Sequence, residues 1–147
     1  MVAGGVAAVL YGVVRFTADL DIFVELSPAN IDKLFSALDE LGYKTRLPVT
    51  KDEFKDPKKR REWMLEKNMK VFSFFHPRDP FKTVDVLIDE FIPYKHLTKR
   101  VFQAGAIRVP AISLKDLKKL KVRAARPKDW ADIHSLEEIE RIQKKKS

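Results

Sequence analysis

The most regular hydrophobic pattern in the chain lies between Ser27 and Gly42. Ile31, Leu34, Phe35, Leu38 and Leu41 recur at helical spacing, Ser27-Pro28 supplies an N-cap and a first-turn proline, and Gly42 is a stop. The segment 20–26 alternates instead and is rich in branched and aromatic residues, which predicts a strand. Segments 71–75 and 82–88 predict two more strands, separated by the turn His76-Pro77-Arg78-Asp79-Pro80, and a short strand is expected over 107–109. Phe72, Phe74 and Phe75 read as core rather than as a platform for bases.

Toward the N-terminus, residues 1–3 read as the tail of a buried strand, Gly4-Gly5 as a turn, and residues 6–11 as a short helix ended by Gly12. The stretch 51–70 is highly charged, and Pro57 marks the start of a helix that carries Trp63, Met64 and Leu65. Two helices close the chain, over 113–125 and from 129 to about 143, before a frayed Lys-Lys-Lys-Ser tail. Trp63 and Trp130 most simply anchor helices. This order of elements predicts an α/β or α+β fold, a small mixed sheet flanked by helices. With neither an internal repeat nor a long linker, a single domain over residues 1–147 is expected.

Composition supports that picture. Hydrophobic residues make up 45% of the 147 positions and charged residues 34%, a balance that can fill a core and is not that of a disordered chain. The apolar stretch 1–14 is too short to cross a bilayer and lacks the basic start of a secretory signal, so it reads as buried structure. Cysteine is absent, which excludes disulfides and thiolate zinc sites and suits a cytoplasmic location. The formal charge of +8 favours an anionic partner such as nucleic acid or a triphosphate. His76, His96 and His134 show no metal-ligand spacing.

Chemistry enters with Asp19 and Asp21, two apart at the start of a strand and therefore on one face. Paired carboxylates repel, and a divalent cation would relieve the repulsion; magnesium takes one or two such ligands together with substrate phosphates. Two solvated acids at a strand end are the competing reading. Gly4-Gly5 at the entry of a helix would leave backbone N–H groups for phosphate, or simply make a tight turn.

Gly4-Gly5-Val6-Ala7 followed by Arg15-Phe16-Thr17-Ala18-Asp19-Leu20-Asp21 resembles the DNA polymerase β-like nucleotidyltransferases, most closely the small bacterial and archaeal group related to AbiEii-type toxins. Gly5 stands where many members carry serine. The resemblance implies the nucleotidyltransferase fold and a glycine turn that contacts a nucleoside triphosphate (NTP). It also implies aspartates that bind two magnesium ions, with manganese as a substitute, and a third carboxylate on a neighbouring strand. Asp85 fits that last role because it interrupts the apolar strand around 83–88, where an unpaired charge is expensive. Asp89 is a weaker candidate at the strand's polar end.

Between Lys115 and Lys128 stand seven basic residues and one acid, Asp116. Lys115, Lys118, Lys119 and Arg123 project away from the stripe of Leu114, Leu117, Leu120 and Ala124, as a solvated face should. Lys121 falls within the stripe and needs an anionic partner, which could be a bound triphosphate or one of the aspartates. Arg126-Pro127-Lys128-Asp129 also resembles the family. Asp129 stands where a helix N-cap belongs, and Asp132 suits the positive end of that helix.

The expectation is therefore an enzyme that transfers a nucleoside monophosphate from an NTP to a hydroxyl of an RNA such as tRNA, a protein or a small molecule. Asp19, Asp21 and Asp85 are the catalytic and metal-binding candidates. Gly4, Gly5, Arg15, Thr17, Lys121, Arg126 and Asp129 are the nucleotide-binding ones. A cognate toxin or antitoxin is an expected partner in the alternative reading of a non-catalytic protein that keeps the fold. A basic nucleic-acid-binding module is a third reading.

Overall fold

The structure is a computed structural model that describes residues 1–89 and 91–146. It is a mixed α+β fold with a small mixed sheet and helices, as expected. Its contacts divide the chain into two compact units, one of Met1–Thr17 with Leu97–Ser147 and one of Ala18–His96.

The unit Ala18–His96 is built on a four-stranded sheet. Strands β1 (Asp19–Ile22), β2 (Lys44–Thr45), β3 (Val71–His76) and β4 (Asp79–Leu87) lie in the order β1-β4-β3-β2. β1 runs parallel to β4, while the β3–β4 and β2–β3 pairs are antiparallel. Helices α2 (Pro28–Glu40), α3 (Lys51–Lys55) and α4 (Pro57–Glu66) belong to the same unit. Alternate strand residues Leu20, Ile22, Phe72, Phe74, Val84 and Val86 form one core with Ile31, Leu38, Phe54 and Trp63 from the helices. Period-two alternation therefore places Asp19, Asp21, Ser73, Thr83 and Asp85 on the opposite face of the sheet.

Phe75 shares that opposite face, half-buried and with the Arg46 guanidinium 5.7 Å from its ring centre, so of the three phenylalanines only Phe72 and Phe74 are core. β1 stops at Ile22, short of the expected strand 20–26, because its parallel partner β4 ends at Leu87 and leaves no further ladder. α3 and β2 were not expected. α3 carries a complete capping box in which Thr50 and Glu53 satisfy each other's backbone N–H, a Thr-x-x-Glu pattern present in the sequence.

The other unit holds α1 (Gly4–Leu10), the hairpin β5 (Lys99–Ala104) and β6 (Ile107–Ile112), and helices α5 (Leu114–Ala124) and α6 (Pro127–Lys146). The expected strand 1–3 is reduced to a single bridge. Val2 N–H donates to Pro110 at 2.7 Å and Val2 C=O accepts from Ile112 at 2.9 Å, after which Gly4, at φ 57°, turns the chain into α1. Gly4-Gly5 is thus the first turn of the helix itself. Val14 is fully exposed, so the apolar stretch 1–14 is only partly buried. The expected strand 107–109 is longer and pairs with β5, which the sequence reading missed. The tail stays helical through Lys146, and Ser147 lies outside the described residues. Among the described residues no helix is long and apolar enough to cross a membrane.

Candidate active site

Strand pairing brings two of the three predicted acids together. Asp21 and Asp85 are register partners in the parallel β1–β4 pair, and Asp19 stands opposite Thr83 two residues earlier on the same face. Neighbouring strands run about 4.8 Å apart, so carboxylates at one register position are adjacent. Asp21 and Asp85 are half-buried, Asp19 exposed. From β3, the Ser73 hydroxyl donates to Asp85 Oδ1 at 2.6 Å, and Ser73 is the register partner of Asp85 on that side. Ser73 was not anticipated; its place inside an otherwise apolar strand run was the available signal.

In donor type and strand position these residues fit magnesium. Among the described residues no three His, Asp or Glu side chains are gathered as a ready-made metal cluster. A closed protein cage needs such a cluster, whereas magnesium is commonly held by one or two carboxylates with phosphate oxygens and water completing the shell. Asp89, the weaker candidate, lies beyond β4 in the wall of a small cleft that Phe23, Leu26, Leu87 and Tyr94 also line.

The nucleotide-binding candidates all belong to the other unit. Lys121 is only 4% exposed, and its Nζ donates to Asp132 Oδ2 at 2.5 Å, with Asp129 Oδ1 at 3.8 Å. Arg15 Nη1 donates to the same Asp132 oxygen, also at 2.5 Å. Of the two partners open to Lys121 from its position in the stripe, the structure therefore supplies an aspartate. Arg126 Nε donates to Asp129 Oδ2 at 2.7 Å, and its backbone N–H reaches the same oxygen at 3.2 Å.

That last bond corrects the N-cap assignment. α6 begins at Pro127, so Arg126 is the residue before the helix and Asp129 is the third helical position, reaching back to cap it. Burial pushes the Asp129 carboxyl up, but hydrogen bonds from the Arg126 side chain and backbone, with the charges of Arg126 and Lys121, hold it below the usual carboxylate range. The five side chains form a cluster of three cations and two acids, in which Lys121, Asp129 and Asp132 are buried, Arg15 is half-buried and Arg126 is exposed.

Sequence reasoning undervalued Asp132. Asp129, Asp132, Ile133 and Leu136 are all buried at helical spacing, which marks both acids as part of the inward stripe of α6. Asp116 was missed as well. It is 4% exposed, accepts from the Thr98 N–H and hydroxyl and from Ser113 Oγ, and is announced by the pattern Ser113-x-x-Asp116.

Gly5 and Thr17 are in direct apposition. A Cβ on Gly5 would lie 2.9 Å from Thr17 Cβ and closer still to Thr17 Oγ1, so the side chain of Thr17 requires glycine at position 5. The Thr17 hydroxyl thus occupies the space beside the first turn of α1 that any side chain on residue 5 would fill. No known family model matches the chain, and no curated protein matches it in sequence.

Proposed function

We propose that the chain is a metal-dependent nucleotidyltransferase of the DNA polymerase β-like superfamily, acting in the cytoplasm. It would move a nucleoside monophosphate from an NTP to a hydroxyl of an RNA, protein or small-molecule acceptor. The observation that carries the reading is the register pairing of Asp21 with Asp85, with Asp19 on the same face, away from the core. Carboxylates at one register position are hard oxygen ligands of the kind that magnesium takes together with substrate phosphates.

In this reading Asp19, Asp21 and Asp85 hold magnesium, which when bound neutralises phosphate charge and lowers the pKa of the acceptor. The acceptor oxygen forms a bond to the α-phosphorus, the bond from that phosphorus to the bridging oxygen breaks, and pyrophosphate leaves. Asp85 takes the acceptor proton. Ser73, held on Asp85 Oδ1, fixes the carboxylate and leaves Oδ2 for that role. Gly4, Gly5, Arg15, Thr17, Lys121, Arg126 and Asp129 are assigned to the nucleotide by the same resemblance. Thr17 would supply the hydroxyl that residue 5 lacks.

One observation favours a second reading. Arg15, Lys121 and Arg126 already have carboxylate partners, as they would in a non-catalytic protein that keeps the fold to bind a cognate toxin or antitoxin. Calorimetric titration of each of the four NTPs, with and without magnesium, separates the two. Magnesium-dependent binding that disappears in Asp19→Asn/Asp21→Asn is expected. A folded protein that binds no NTP would overturn the enzyme reading in favour of the partner protein.

A further inference from the structure

The turn between α5 and α6 combines exposure, positive charge and an outward-facing tryptophan. Every residue from Val122 to Lys128 is exposed, and Trp130 leaves 51% of its surface open, so it does not anchor a helix as the sequence suggested. Between positions 122 and 131 stand Arg123, Arg126 and Lys128, and the only acid, Asp129, is 1% exposed and engaged by Arg126. The exposed charge of this stretch is therefore wholly positive.

Helical spacing arranges the planar groups. Arg126, just before α6, and Trp130 and His134 within it follow one another at intervals of four residues and all three are exposed, so Trp130 and His134 share one stripe of α6 about 6 Å apart in rise, with Arg126 at its entry. Guanidinium, indole and imidazole planes are the side chains on which unpaired bases stack, and cations beside such planes track a phosphate backbone.

We infer that the α5–α6 turn and the first turns of α6 are a binding surface for single-stranded nucleic acid. Trp130 stacks on a base, Lys128 and Arg123 contact phosphates, and His134 extends the stripe. The surface lies within one unit and does not rest on the nucleotidyl-transfer reading. Nothing in it selects the sugar, so RNA and DNA strands bind alike.

Intrinsic fluorescence reports on it directly, since the other tryptophan, Trp63, is 6% exposed. An oligouridylate or oligothymidylate of about 16 nucleotides, the upper end of single-strand site sizes, is titrated into the full chain in EDTA without NTP. Quenching is expected, with Trp130→Ala weakening affinity between about 5-fold and 150-fold, the range for loss of one stacked base. Trp130→Phe keeps most of the affinity, which separates stacking from misfolding. Lys128→Gln lowers the slope of log affinity against log salt by about 0.7, one single-strand phosphate contact.

Asp19→Asn/Asp21→Asn binds the oligonucleotides unchanged, so a failure of the transfer reading leaves this surface standing. Unaltered affinity in Trp130→Ala overturns the inference, as does equal affinity for a duplex of the same length. Polyglutamate or phosphatidylserine vesicles that bind with the same dependence on Trp130 overturn it in favour of an acidic protein or a membrane.

Discussion

Lys121 Nζ lies 2.5 Å from Asp132 Oδ2, and both residues are buried, at 4% exposure each. A lysine that breaks the apolar stripe of α5 is thereby matched by an aspartate on the inward stripe of α6. The Arg15 guanidinium meets the same carboxylate oxygen, so one acid serves two cations. Burial removes the water that would otherwise solvate these charges, and each depends on the others.

Lys121→Met removes the cation and leaves Asp132 with Arg15 alone. A loss of about 3 kcal/mol in urea unfolding is expected, the lower end for breaking a buried ion pair. The double variant Lys121→Met/Asp132→Leu recovers part of that loss. If Lys121 also contacts triphosphate, thermal stabilisation by NTP and magnesium falls in Lys121→Met beyond the change in intrinsic stability.

Gly5→Ser places a Cβ against Thr17 and is expected to destabilise the fold by about 1–3 kcal/mol, the cost of overpacking. In a Thr17→Gly background the same substitution costs clearly less, because both the obstructing hydroxyl and the Cβ that carries it are gone. Additive losses in a double-mutant cycle would show that the two side chains do not compete for this space.

Ser73→Ala removes the hydroxyl held on Asp85 Oδ1. Under the proposed function, magnesium affinity in the presence of NTP drops at least about tenfold, as for other residues that orient a metal ligand, with little change in unfolding free energy. Calorimetric titration of magnesium against the NTP-saturated protein measures it.

Acid should destabilise the unit that carries α5 and α6 through Asp116 and Asp129. Burial pushes the Asp116 carboxyl up too, but hydrogen bonds from Thr98, Ser113 and Lys119 hold it below the usual range. A carboxyl with a depressed folded pKa contributes stability that is complete above its unfolded value, near ~3.9, and is lost as pH falls through the folded value. Asp116→Asn and Asp129→Asn are therefore expected to be less stable at neutral pH. They should also lose less than the parent between about pH 5 and pH 2, as read from urea midpoints.

Much of the secondary structure was legible because its causes are local. α2 follows from Ile31, Leu34, Phe35 and Leu38 with Pro28 and Gly42, and the β3–β4 hairpin follows from two apolar runs around a Pro-rich turn. β5 escaped notice because Lys99, Arg100 and Gln103 interrupt its apolar pattern; pairing with β6 makes it a strand. Trp130 was misplaced for a related reason: helical spacing says which residues share a face, not which face meets the core.

From the sequence by itself came the mixed α+β class, the placing of Asp19 and Asp21 on one face, and the anomaly of a lysine in an apolar stripe. Each depends on periodicity within a few residues. Tertiary structure alone decided that Asp21 lies beside Asp85, because a strand's alternation does not name its neighbour in the sheet. It also decided that Lys121 meets Asp132 and that Thr17 fills the space beside Gly5. Those contacts join side chains from separate elements, and their energies come from burial and charge that exist only once the chain is packed.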